Sequence, residues 1–140
     1  MKFWDSSAVV PLFVNEARSS DMKALAFSDP KFAVWWATGT ECVSALSRRF
    51  RANQISQAVH DSGMQRLAAA RAQWTEFPPT EHLRHVAERL LRAYPLRAAD
   101  ALQLAAALEA ADGAPNLLPF ICLDIRLSGA ARGEGFIVEP

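Results

Sequence analysis

Residues 2–16 read KFWDSSAVVPLFVNE. Phe3 and Trp4 suit a short strand beginning at Lys2. Ala8 to Val10 are apolar again, and the pattern predicts a helix from residue 7 to about residue 15, with Pro11 in or near its first turn. Between strand and helix stand a carboxylate, Asp5, and two hydroxyls, Ser6 and Ser7. In open parallel sheets ligands bind outside the carboxyl ends of the strands, and a junction of this kind lies there.

The alternation continues along the chain. The sequence predicts a helix over 20–27, a strand over 32–36, and helices over 38–51 and 56–74. TEFPPT, residues 75–80, reads as a short strand and turn. Helices follow over 81–93 and 97–111, then a strand over 119–123, a short helix over 125–132 and a last strand over 136–138. Strands alternating with helices predict an α/β fold, a three-layer α/β/α sandwich with a central parallel sheet covered on both faces. Helices outnumber strands, so some are stacked additions rather than crossovers. There is no repeat, low-complexity stretch or linker, and 140 residues fit a single domain spanning 1–140.

Bulk composition narrows the function classes. An apolar fraction of 51% suffices for a core without disulfides or a structural metal. Fifteen basic residues balance fifteen acidic ones, which argues against a general polyanion binder. Any nucleic-acid contact must rest on local basic patches. Cys42 and Cys122 are far apart, with no CxxC, and read as buried reduced thiols of a cytoplasmic protein. No signal-peptide pattern is present, and no apolar run approaches the ~18 residues of a membrane span, so no membrane association is expected.

Four acids fall just after a strand or at a helix start: Asp5, Glu41, Asp100 and Asp124. Each has a structural explanation. Asp5 and Asp124 could cap the helices that follow them. Glu41 fits a capping box with Thr38 in TGTE. Asp100 could favour the positive end of its helix, with Arg97 as an ion-pair partner. Two observations favour a shared site. Asp100 lies on the same helical stripe as Leu104, Ala107, Leu108 and Ala111, so it heads an inward face, where an unpaired Asp is rare. In a parallel sheet all four acids gather at one edge, where their charges repel unless a cation or protons intervene. Glu41 could point at the site or at water.

Oxygen donors with no His or Cys among them suit Mg²⁺, with Mn²⁺ as a substitute. Such a cluster, open to solvent, suits phosphodiester hydrolysis by metal-bound water. A hydroxyl beside the metal, such as Ser6, could orient a water or a phosphate oxygen. Arg48, Arg49 and Arg51 form a basic cluster on the Glu41 helix, readable as RNA backbone contact through Arg48 or as a solvated face. Arg84, Arg89, Arg92 and Arg97 form a looser group. His82 and His85 are three apart but lack a third soft ligand, and His60 stands alone. Trp35 or Trp36 could stack on a base, though core packing or a dimer contact is the plainer role. An Asp-nucleophile phosphatase would have a second acid at position 7, where Ser7 stands, and a Lys late in the chain, which is absent.

These motifs together resemble the PIN-domain ribonucleases, specifically the VapC-type toxins. KFWDSSAVVPLFVNE is similar to the family's opening strand and helix, TECVSALSRR to its second acidic motif, YPLRAADALQLAAAL to its third, and FICLDIRLSGAARGEGFIV to its closing strand, Asp, short helix and strand. The resemblance spans the whole chain. It implies a Mg²⁺-dependent endoribonuclease, a homodimer, and inhibition by a small cognate antitoxin. By position it makes Asp5, Glu41, Asp100 and Asp124 the metal-site acids. Two residues depart from the family pattern: Pro11 stands where many members carry Lys or another helix former, and Cys122 where many carry Thr or Ser. The alternatives are a PIN nuclease of RNA maturation without an antitoxin, and a non-catalytic PIN-fold binding or scaffold module.

Overall fold

Strand side chains point to alternate faces, and here that alternation separates two cores. In the computed structural model, which describes residues 1–140, β1 (Lys2–Trp4) sends Phe3 to one face and Trp4 to the other. β2 (Phe32–Trp35) sends Ala33 and Trp35 with Phe3, and Phe32 and Val34 with Trp4. Beyond β3 (Thr75–Phe77), β4 (Phe120–Ile121) divides Phe120 from Ile121 in the same way. With β5 (Val138–Glu139), the strands form one sheet in the order β3-β2-β1-β4-β5, every pair parallel. Trp4 stacks on Phe32 at 4.2 Å between ring centroids, and Phe3 on Phe120 at 5.6 Å.

Helices cover both faces. α1 (Ser6–Val9), α2 (Ser19–Ser28), α3 (Thr38–Arg51) and α4 (Gln57–Arg71) bury Val9, Met22, Leu46 and Leu67 against the Trp4 face. α5 (Glu81–Ala93), α6 (Ala98–Ala111) and α7 (Ile125–Gly133) bury Leu90, Leu104 and Leu127 against the Phe3 face. The three-layer sandwich expected from the alternation is what forms. Small residues let α6 lie close to the sheet: Ala101, Ala105, Ala106 and Ala107 are all buried. Ser56 and Thr80 cap α4 and α5 by accepting from the Val59 and Leu83 amides, each at 3.1 Å. No helix is long and apolar enough to cross a membrane.

Several boundaries differ from the sequence expectation. The helix expected over 7–15 is split: α1 ends at Val9 and a 3₁₀ turn runs over Val10–Leu12. Pro11 has no N–H with which to continue the α-helical ladder. The strand expected over 119–123 shortens to Phe120–Ile121, and the one expected over 136–138 shifts to Val138–Glu139. A second 3₁₀ turn, Pro115–Leu117, precedes β4.

The strand order places the functional edge. From β1 the chain builds outward through β2 to β3, then returns to lay β4 on the other side of β1. The order therefore reverses between β1 and β4, the position where such sheets open a crevice. The Asp5 amide donates to the Ile121 carbonyl at 3.0 Å across that junction.

Candidate active site

All four acids line one cavity of about 350 Å³, together with Ser6, Ser7, Glu16, Arg48 and Arg49. β1 delivers Asp5 and the loop after β4 delivers Asp124. α3 and α6 deliver Glu41 and Asp100 from their first turns.

The capping roles are real for two of the acids. Asp5 is the N-cap of α1 and accepts from the Ser7 amide at 2.9 Å. Asp124 caps α7, accepting from the Leu127 amide at 2.8 Å. Each cap engages one carboxylate oxygen, and both side chains still line the cavity. The capping box in TGTE does not form. Thr38 lies inside α3, fully buried, and the N-cap position falls on Ala37. Glu41 instead spans two neighbouring helices: Ser6 Oγ donates to its Oε2 at 2.9 Å and Gln103 Nε2 to its Oε1 at 3.0 Å. It faces the cavity rather than water. Arg97, the expected partner of Asp100, occupies the N-cap position of α6 and forms no salt bridge with it.

The acids feel one another. Burial pushes the Asp5 carboxyl above the usual range against the pull of its Ser7 hydrogen bonds, and the charge of Asp100 pushes the same way. Glu41 is raised by burial, with Ser6 opposing and Asp5 and Asp100 adding. Asp100 is raised by burial and then by Asp124, against Arg97 and Arg126. Carboxylates desolvated together in this way form a hard, all-oxygen donor set, and that donor chemistry suits Mg²⁺ or Mn²⁺. As they stand, no three His, Cys, Asp or Glu side chains gather closely enough to enclose an ion. The acids border a cavity rather than close on a point.

Gln103 was not singled out from the sequence, and Ser7 stood there only as a hydroxyl beside Asp5. Gln103, one turn after Asp100 on α6, is a buried amide bonded to Glu41 and Thr38. A lone polar residue inside LQLAAAL was the available signal. Ser7 accepts from the Leu123 amide at 2.9 Å and so ties the β1 end to the segment after β4. The Cys122 Sγ lies 3.7 Å from Asp5 Oδ2 and 3.5 Å from the Asp124 carbonyl. Burial pushes the Cys122 and Cys42 thiols up to about 12, and both are free, as expected of reduced core thiols.

The remaining candidates separate clearly. Arg49 pairs with Glu16, whereas Arg48 has no acidic partner. Arg48, Arg49 and Arg51 border a second cavity of about 550 Å³, which meets the acidic one along Arg48 and Arg49. Arg84 and Arg89 are taken up by Glu81 and Glu134. His82 and His85 are exposed on α5, and His60 is half-buried against Phe50 at 4.9 Å. Trp35 is buried in the core and Trp36 is half exposed.

No family model matches the sequence. Ribonuclease VapC45 of Mycobacterium tuberculosis is 33% identical over 151 aligned positions, covering 99% of this chain and 94% of the relative. Two solved structures share the fold. The toxin–antitoxin complex from Klebsiella pneumoniae has a TM-score of 0.71 at 16% identity, covering all of this chain and 97% of that one. VapC20 of Mycobacterium tuberculosis, described as a sarcin-ricin loop cleaving toxin, has a TM-score of 0.68 at 20% identity, each chain covered in full. With a parallel five-stranded sheet, acids at its reversal point and a relative at that identity over nearly the whole length, the chain belongs to the VapC ribonuclease family.

Proposed function

We propose that this chain is a Mg²⁺-dependent endoribonuclease, the toxin of a toxin–antitoxin pair. The observation that carries the reading is the convergence of Asp5, Glu41, Asp100 and Asp124 on one cavity at the reversal of strand order, in a member of the VapC family. Those four carboxylates would hold the cation, Mn²⁺ substituting for Mg²⁺. When bound, the cation makes hydroxide available near neutral pH and screens the charge on the phosphate. The chain's own groups do the rest. Ser6 spends its one hydroxyl proton on Glu41, and its oxygen lines the cavity as an acceptor that can orient a water. Arg48, unpaired at the rim, offers a guanidinium to the RNA backbone. Hydrolysis from this arrangement leaves a 5′-phosphate.

The family and the shared fold with a toxin–antitoxin complex support a small antitoxin as partner. A homodimer acting in the cytoplasm completes the proposal. The caps made by Asp5 and Asp124 favour one competing reading, a binding module whose acids only shape helices. RNA cleavage by the purified protein in Mg²⁺ and in EDTA, with Asp5→Asn alongside, separates the two. Cleavage that requires both Mg²⁺ and Asp5 is expected. Intact RNA in Mg²⁺ across total cellular RNA and defined stem-loops, from folded protein free of inhibitor, favours the binding module.

A further inference from the structure

Glu41 lies in the first turn of α3, whose leading amides are free, and its long side chain has several rotamers available. Neither of its oxygens accepts from the start of its own helix. Its two oxygens are taken one each by donors from opposite sides, Ser6 on α1 and Gln103 on α6. The α6 donor is the unusual one. Gln103 is 1% exposed in a helix face otherwise built of Ala and Leu, where an amide is costly to bury unless it is hydrogen-bonded. Its Nε2 donates to Glu41 Oε1 at 3.0 Å and to Thr38 Oγ1 at 3.3 Å. The amide orientation follows from the chemistry of its partner. Turned over, the amide would set its carbonyl oxygen against a carboxylate oxygen, two acceptors with no proton between them.

We propose that Gln103 is a positioning residue: its buried amide turns the Glu41 carboxylate into the acidic cavity and holds it in place for a divalent cation. This rests on the reading of the four acids as a metal site. α6 thus carries two parts of the site three residues apart, Asp100 as a ligand and Gln103 as the group that orients a ligand on another helix. With the carboxylate held by one donor on each oxygen, its remaining lone pairs are left for a cation, and binding does not have to order the side chain first. The structural alternative is that Gln103 only links α6 to α3 through Thr38.

Calorimetric titration of the metal-free protein with Mn²⁺ separates these roles, read together with the kinetics of RNA cleavage. Gln103→Met keeps the length and removes the amide. It is expected to weaken Mn²⁺ binding by about tenfold, and to lower kcat while leaving KM for RNA unchanged. Gln103→Asn, which is too short to reach Glu41, gives the same loss and serves if the Met variant does not fold. Thr38→Val removes the other link and leaves Mn²⁺ affinity within about twofold. In a Glu41→Gln background, Gln103→Met produces no further loss, because its effect passes through Glu41. Equal Mn²⁺ affinity in the wild-type and Gln103→Met proteins overturns the inference and leaves the metal site standing. So does an equal loss in both backgrounds. A wild-type protein that binds no Mn²⁺ overturns the metal reading itself, and this inference with it.

Discussion

A carboxylate half-buried at the head of an alanine-rich helix, facing a second carboxylate and lacking an ion-pair partner, is poorly placed for stability. Asp100 is in that position. Asp100→Asn keeps the shape and removes the charge. The variant is expected to melt at the same temperature as the parent or slightly higher, and to lose RNA cleavage by at least about a hundredfold. A variant that cuts RNA at the parental rate removes Asp100 from the site. The two thiols give a second expectation at this scale. Cys42 and Cys122 are buried and their thiols are neutral at physiological pH, so the thiolate that reacts is scarce. Intact-mass analysis after iodoacetamide at pH 8 should show neither modified in the native protein, and both modified in denaturant. Sequence reading reached Asp5, Asp100 and Asp124 because each follows directly on a change of element. It left Glu41 ambiguous, because a helical wheel gives a bearing about one axis and says nothing of which helix lies opposite. Gln103 escaped for the same reason: its meaning is a contact 62 residues away.

Between elements, one charged cluster stands out away from the site. Glu134, at the end of α7, accepts from Arg89 of α5 at 2.7 and 3.1 Å and from the Tyr94 hydroxyl at 3.0 Å. The Arg89 hydrogen bonds hold the Glu134 carboxyl below its usual range. A lowered carboxyl stabilises the fold above its ordinary value near 4.5, and that contribution is lost as pH falls through the folded-state value. Glu134→Gln is therefore expected to cost about 1 kcal/mol near pH 7, a modest figure because Arg89 is partly exposed. The difference should shrink as pH falls below the carboxylate range. Thermal melts of both proteins across pH 3 to 7 test it, and a gap that stays constant with pH assigns the loss to packing. Helices were the most legible elements. The expected spans over 38–51 and 81–93 match α3 and α5 end to end; α5 is bounded by the Thr80 cap and Pro95, and α3 closes on a run of basic residues. The two last strands were less legible. Only two residues of β4 and two of β5 pair, and pairing depends on where neighbouring strands end, which a single stretch of sequence does not encode.

At the scale of the whole molecule, three raised carboxyls pull the dependence of stability on pH the other way from Glu134. Asp5, Glu41 and Asp100 hold protons more tightly folded than unfolded. For each, stability is greatest below the unfolded value and declines as pH rises through the folded one. In EDTA their contribution to the melting temperature should thus fall as pH rises above the ordinary carboxylate range near 4. Mg²⁺ should restore it, and by more at pH 8 than at pH 5, because a cation competes with fewer protons there. A Mg²⁺ shift independent of pH would detach the ion from these carboxyls. The sheet order carries a different kind of consequence. Asp5 sits beside a strand that arrives more than a hundred residues later, and the Ser7–Leu123 hydrogen bond spans 116 residues. Contacts so distant in sequence close late in folding. A chain emerging from the ribosome carries Asp5, Glu41 and Asp100 while the other wall of their crevice has yet to be translated. The cavity is finished by β4 and the Asp124 that follows it, so a nascent chain stalled before Phe120 is an unarmed one.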